Sequence, residues 1–177
     1  LLGKNGTELK RYALGEDTSP VVSKTKDDKP KSIGRSVTTA KDFVSFDEVW
    51  SIFLSLSQSV SDSLHRHGLY ASGVQVHIRT ASLKVKEFSR TYPDTTDSAY
   101  IIAKRGADIL KANYDFKEPL RSVGIRAVSL KNCETAIQQD MFGAAKKLEA
   151  QEKIEDSIYE LRKKFGDSSI RRASASK

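Results

Sequence analysis

Three histidines, His65, His67 and His77, and a single cysteine, Cys133, are the side chains best suited to bind a transition metal. Their spacing argues against it. His65 and His67 stand two apart in a stretch that reads as helix, so they point different ways, and structural zinc sites draw on more than one thiolate. Phosphoryl transfer by two metals needs clustered carboxylates. The acidic pair Asp27-Asp28 lies among lysines with no strand around it, where solvated linker charge is the better reading. No glycine-rich phosphate loop and no nucleophile with a partner base is present. The metal assignment is therefore none. What remains is cationic: Lys31, Arg35, Arg79, Lys84, Lys86, Arg90, Arg121 and Arg126, with the hydroxyls of Ser32 and Ser36 among them. Such groups neutralise phosphates and donate hydrogen bonds to their oxygens, which grips a nucleic-acid backbone without reading its bases. The plainer alternative is the wet face of a sheet.

The whole chain leans the same way. Its 177 residues carry 30 Lys+Arg against 23 Asp+Glu, a formal charge of +7, and such an excess favours nucleic acid or an anionic surface as partner. The length suits one ordinary domain with appendages. A lone cysteine excludes an intrachain disulfide and points to a reducing, cytoplasmic setting. No apolar run approaches the roughly 20 residues of a membrane span, so no membrane partner is expected. The only methionine is Met141, and the chain reads as a fragment whose preceding part is missing.

These basic residues need elements to hold them. Leu9, Tyr12, Ala13 and Leu14 have helical spacing that stops at Gly15. Residues 23–31 contain no apolar residue and read as a linker. A strand is expected from Lys31 to Asp42. A capping box, Ser45 with Glu48, then opens a helix whose stripe is Val49, Phe53, Leu56, Val60 and Leu64 and whose end is Gly68. Val74–Arg79 alternates as a strand with one buried face. Leu83–Tyr92 alternates again, with Lys84, Lys86, Phe88, Arg90 and Tyr92 on one side, and Pro93 is expected to stop it. Thr96 or Asp97 caps a second helix carrying Ile102, Ala103, Ile109 and Leu110. Arg121–Leu130 is a last strand whose alternation blurs at Val128, as a bulge would produce. A final helix, about 145–165, presents Leu148, Ile154, Ile158, Leu161 and Phe165 and must bury that stripe somewhere. The order βαββαβ predicts an α+β fold: a four-stranded, mainly antiparallel sheet with two helices on one face. The other face stays free as a phosphate platform.

Local strings narrow the choice. Lys31-Ser32-Ile33-Gly34-Arg35-Ser36, followed by Thr38-Thr39 and Asp42, resembles the opening of the little-finger domain of Y-family, lesion-bypass DNA polymerases. Pro119 to Arg126 resembles that domain's last strand, and Leu14 to Asp17 with Pro20-Val21 is similar to the exit from the family's thumb. Glu160 to Ile170 resembles the C-terminus of bacterial members. The resemblance implies a division of the chain into the end of a thumb-like domain (1–22), a linker (23–31), a little-finger DNA-binding domain (32–132) and a tail (133–177). It implies a primer-template duplex as partner. The catalytic carboxylates and their Mg²⁺ would lie in a palm domain of the parent polymerase, with no cofactor and no catalysis here. Gln138-Gln139-Asp140-Met141-Phe142 is similar to the family's sliding-clamp peptide, with Met141 and Phe142 as apolar anchors and Gln138 orienting them. Leucine is usual where Gln139 stands. The rivals are an RNA-binding or protein-interaction module of ferredoxin-like topology. An RNA recognition motif stacks bases on aromatic residues of its inner strands, and Val74–Arg79 and Arg121–Leu130 carry none.

Overall fold

The computed structural model describes residues 3–20, 30–132, 144–166 and 169–170. The linker's Asp27-Asp28, Cys133 and the motif 138–142 lie outside the described residues. The elements are α1 (Gly3–Ala13), β1 (Ile33–Phe43), α2 (Phe46–His67), β2 (Leu69–Thr80), β3 (Val85–Thr96), α3 (Ala99–Asn113), β4 (Leu120–Asn132) and α4 (Ala144–Phe165). Strands pair antiparallel in the order β1-β4-β2-β3. A ferredoxin-like sheet carries its first and third strands at the centre. Here the second and fourth strands are central, so the rival topology is set aside by the strand order.

The central ladder positions the rest. Val74, Val76 and Ile78 of β2 stand opposite Ala127, Ile125 and Val123 of β4. All six are buried beneath α2 and α3. From the helices come Val49, Phe53, Val60 and Leu64, then Ile102, Ala103, Ile109 and Leu110. Leu56, expected on this stripe, is only half-buried. Gly106 lets α3 settle close: a Cβ there would stand 2.4 Å from the Ile125 Cδ1.

Element ends follow local chemistry. Ser45 caps α2 by accepting the Glu48 N–H at 3.4 Å, while the Glu48 carboxylate takes the Val44 N–H at 2.8 Å, so the returning bond lands one residue earlier than a capping box requires. Gly68 ends the helix in the left-handed region, at φ 61°. The cap of α3 is Ser98, not Thr96 or Asp97, because the Thr96 hydroxyl is taken by the Ser98 N–H. Strand β3 runs through Pro93 to Thr96; it is an edge strand, where a missing N–H breaks no ladder bond. The blurred alternation of β4 has a different cause from the expected bulge. Ser129 stands at φ 54°, and β2 and β4 stay in register through it. Their register shift falls at the other end, beside Arg79 and Thr80.

Helix α4 departs most from expectation. Ile154, Leu161 and Phe165 are exposed and Ile158 is half-buried, and the helix is tied to the domain by ion pairs and a hydrogen bond. Arg162 pairs with Asp62 of α2 at 3.1 Å, both side chains nearly covered. His65 lies 3.5 Å from Asp97 and 3.6 Å from Asp156, with its ring stacked on Tyr159. Glu155 is buried and accepts from the Ser98 hydroxyl at 3.4 Å. Burial pushes the Asp97 carboxyl up, and the adjacent His65 pulls it back. Removing one partner of a covered ion pair strands the other charge. Arg162→Met should therefore free α4 while the sheet survives. Amide exchange should show lost protection across Lys153–Phe165 and unchanged protection in β2 and β4.

Candidate nucleic-acid interface

The side of the sheet away from α2 and α3 carries no helix among the described residues. Its composition follows from the register. On β2 it displays Gln75, His77 and Arg79; on β4, Ser122, Gly124 and Arg126; on β1, Gly34, Ser36 and Thr38; on β3, Val85, Glu87 and Ser89. Gln75 stands opposite Arg126 on one side and Ser89 on the other, and His77 lies between Gly124 and Glu87.

Two glycines shape this face. A Cβ on Gly34 would meet the Arg126 Cγ at 3.0 Å and its Nε at 3.1 Å, so the Arg126 side chain lies across β1 at the place where β1 has no side chain. A Cβ on Gly124 would come within 2.8 Å of the Ser36 Cβ and 3.2 Å of the Arg35 carbonyl oxygen. The result is a shallow depression of about 310 Å³, with Gln75, His77 and Glu87 along one rim and Arg126 along the other. The Glu87 carboxylate accepts from Gln75 Nε2 at 3.2 Å and faces His77 Nδ1 at 3.2 Å.

The structure divides the residues expected to bind phosphate. Ser36, Arg79 and Arg126 share the open face. Arg35, Lys86 and Arg90 fall on the opposite side, at the two edges of the sheet where the helices do not fully cover it. Arg35 bonds to its neighbour's carbonyl and to the Ser63 hydroxyl of α2 at 3.3 Å, and the Lys86 ammonium lies 5.6 Å above the Tyr114 ring. Phe88 shares that side and is half-buried against the core, while Tyr92 lies beneath the Arg105 guanidinium. Lys84 is outside β3, in the turn after β2, where Leu83 adopts φ 66°. Beside it stands Glu118, held below the usual carboxylate range by hydrogen bonds from Ser82. Arg121 faces Asp42 of β1 at 3.8 Å. Lys31 and Ser32 are exposed just ahead of β1. Of the metal alternative, His65 and His67 lie in the last turn of α2 and His77 on the open sheet face, with Cys133 outside the described residues, and no group of three His, Cys, Asp or Glu able to hold a metal occurs among the described residues.

Sequence reasoning passed over Gln75, Glu87 and the two glycines, and weighed His77 only as a metal ligand. The signals were present: the polar positions of the Val74–Arg79 alternation must face away from the core, and glycine inside a strand marks a close approach. Gly124→Ala should push β1 outward against its own backbone and destabilise the domain by about 1–3 kcal/mol in a denaturant titration.

Comparison with known proteins adds parentage. A model of the impB/mucB/samB family C-terminal domain matches residues 30–141. The chain is 30% identical over 171 residues to a DNA polymerase IV of Acetivibrio thermocellus, covering 97% of this chain and 43% of that protein. It is 32% identical over 178 residues to DNA polymerase IV 1 of Bacillus subtilis, covering 100% of this chain and 42% of that one. The chain thus spans less than half the length of these relatives. Among solved structures, a post-insertion binary complex of Dbh DNA polymerase matches 72% of this chain and 36% of that one at a TM-score of 0.51 and 14% identity, which is a likeness of fold. No described helix is long and apolar enough to cross a membrane.

Proposed function

The chain belongs to the impB/mucB/samB family through its C-terminal domain, and from that premise we propose that it holds duplex DNA by its backbone as the little-finger part of a lesion-bypass polymerase. The observation that carries this is the uncovered sheet face, where Arg79 and Arg126 stand among serines, threonines and glycines. A surface of that kind grips phosphates and leaves bases unread, which suits an enzyme that must pass altered template. Arg35, Lys84, Lys86, Arg90 and Arg121 would extend the grip along the sheet edges, with Lys31 and Ser32 at the start of β1. The catalytic carboxylates and Mg²⁺ would belong to a palm domain of the parent polymerase, residues 1–22 to the end of its thumb, and 23–31 to the linker between.

Binding should be weak, indifferent to sequence and steeply dependent on salt. With roughly four to six phosphates neutralised, the log–log slope on duplex DNA should lie near −4 to −5. Arg126→Ala should lower affinity equally on unrelated sequences and flatten that slope by about 0.9. A titration showing no binding at low salt would remove the proposal.

The tail adds a second contact in this reading. Residues 138–142 are assigned to a sliding clamp on their sequence alone, with Met141 and Phe142 as anchors beside Gln138, Gln139 and Asp140. A peptide spanning residues 136–143 should bind a bacterial sliding clamp at micromolar affinity or weaker, about 8 kcal/mol or less. Phe142→Ala should cost about 2 kcal/mol. Gln139→Leu should tighten binding, because an amide that must shed water is replaced by an apolar group. Calorimetry on the three peptides tests the assignment.

A further inference from the structure

One residue of the open face does not fit a surface that holds polyanions. Glu87 places a carboxylate on it from the edge strand β3, about half exposed, with Arg126 lining the same depression from β4. Three facts bear on its role. It stands directly across the strand pair from His77. Its two oxygens are turned onto His77 Nδ1 and Gln75 Nε2, each at 3.2 Å. Arg126, by contrast, makes no ion pair or hydrogen bond with another described residue, and its side chain lies extended over Gly34.

We propose that the depression is a seat for one backbone phosphate and that the chain's own Glu87 fills its donors as a substitute anion until the duplex displaces it. The inference rests on the DNA-holding reading above and gives it a specific point of control. A phosphate oxygen and a carboxylate oxygen ask for the same partners. Gln75 Nε2–H is a donor of the seat, His77 Nδ1 is a second wherever it carries the ring proton, and Arg126 supplies its charge. Gly34 gives the Arg126 side chain room to lie low across β1, and Gly124 lets β1 pair closely, so the floor of the depression is backbone and short side chains. An incoming phosphate must break the hydrogen bonds to Glu87 and is repelled by its charge. The seat therefore binds more weakly than its donors alone would allow, which keeps the domain able to release and move along the duplex.

The test is fluorescence anisotropy with a labelled duplex, at low salt, on the whole chain. Glu87→Gln keeps the size of the side chain and removes its charge, and it should tighten binding about 3- to 10-fold, the scale of one like-charge contact near a protein surface. The gain should shrink at high salt. Adding His77→Ala and Gln75→Ala to Glu87→Gln should abolish most of the gain, because the phosphate then lacks the freed donors. Thermal melts of each variant check that the sheet is intact. Unchanged or weaker binding by Glu87→Gln, with the wild type still binding, overturns the seat and leaves the DNA-holding reading standing. A gain that survives loss of both donors also overturns it, since charge repulsion alone is then enough. If neither the wild type nor any variant binds duplex, the DNA-holding reading falls and takes the seat with it.

Discussion

The pairing of β2 with β4 is the constraint on which the rest of the molecule depends. These two strands supply the buried Val74, Val76, Ile78, Val123, Ile125 and Ala127 from a single face. Burying one such aliphatic side chain contributes about 1.5–3 kcal/mol. A slip of one residue would turn the slipped strand's three core side chains to the wet side, so the register is tightly specified. That same register fixes the neighbours on the other face: Gln75 must lie beside Arg126 and His77 beside Gly124. The outer strands then add to a finished centre, β1 on β4 and β3 on β2. The core thus sets the geometry of the interface.

Much of this was legible in the sequence, and the misses share one cause. The helix stripes of α2 and α3 and the alternation of Val74–Arg79 name the core because burial is periodic. The sequence strings also pointed to the family that the comparison with known proteins then gave. The cationic residues were harder, because an edge strand has no wholly buried side to declare its parity. In β3, Lys86, Phe88 and Arg90 face the helix layer and Val85 is exposed, the reverse of what the apolar residues at its start imply. Phe88 packs against the core from an edge that α3 only partly covers. Ser129 misled in another way: one left-handed residue inverts the alternation while the pairing continues, which mimics a bulge.

Helix α4 shows a second limit of pattern reading. Its apolar spacing promised a buried stripe, yet of the described stripe only Ile158 is even half-buried, while Glu155 and Arg162 are covered and His65 of α2 meets Asp156 and Tyr159. Polar contacts of this kind fix orientation closely, because each donor needs its acceptor at one place. They stabilise little, since each charge must lose water to form them. The helix is therefore docked accurately and held lightly.

Among the described residues no strand pairs with the outer edge of β1 or β3, and an unfinished strand is a template on which another chain can pair. Strand β3 meets this hazard through its own irregularity. Its pairing with β2 shifts between Thr91 and Thr96, and Pro93 stands inside the shift without an N–H to offer. Lys86 and Arg90 bring like charges to the same border. Two copies of the chain aligned edge to edge along β3 would meet a broken hydrogen-bond ladder and mutual repulsion. The proline that seemed to end the strand instead lets it run on without recruiting a neighbour, so a crowded, positively charged protein can keep a bare sheet without polymerising through it.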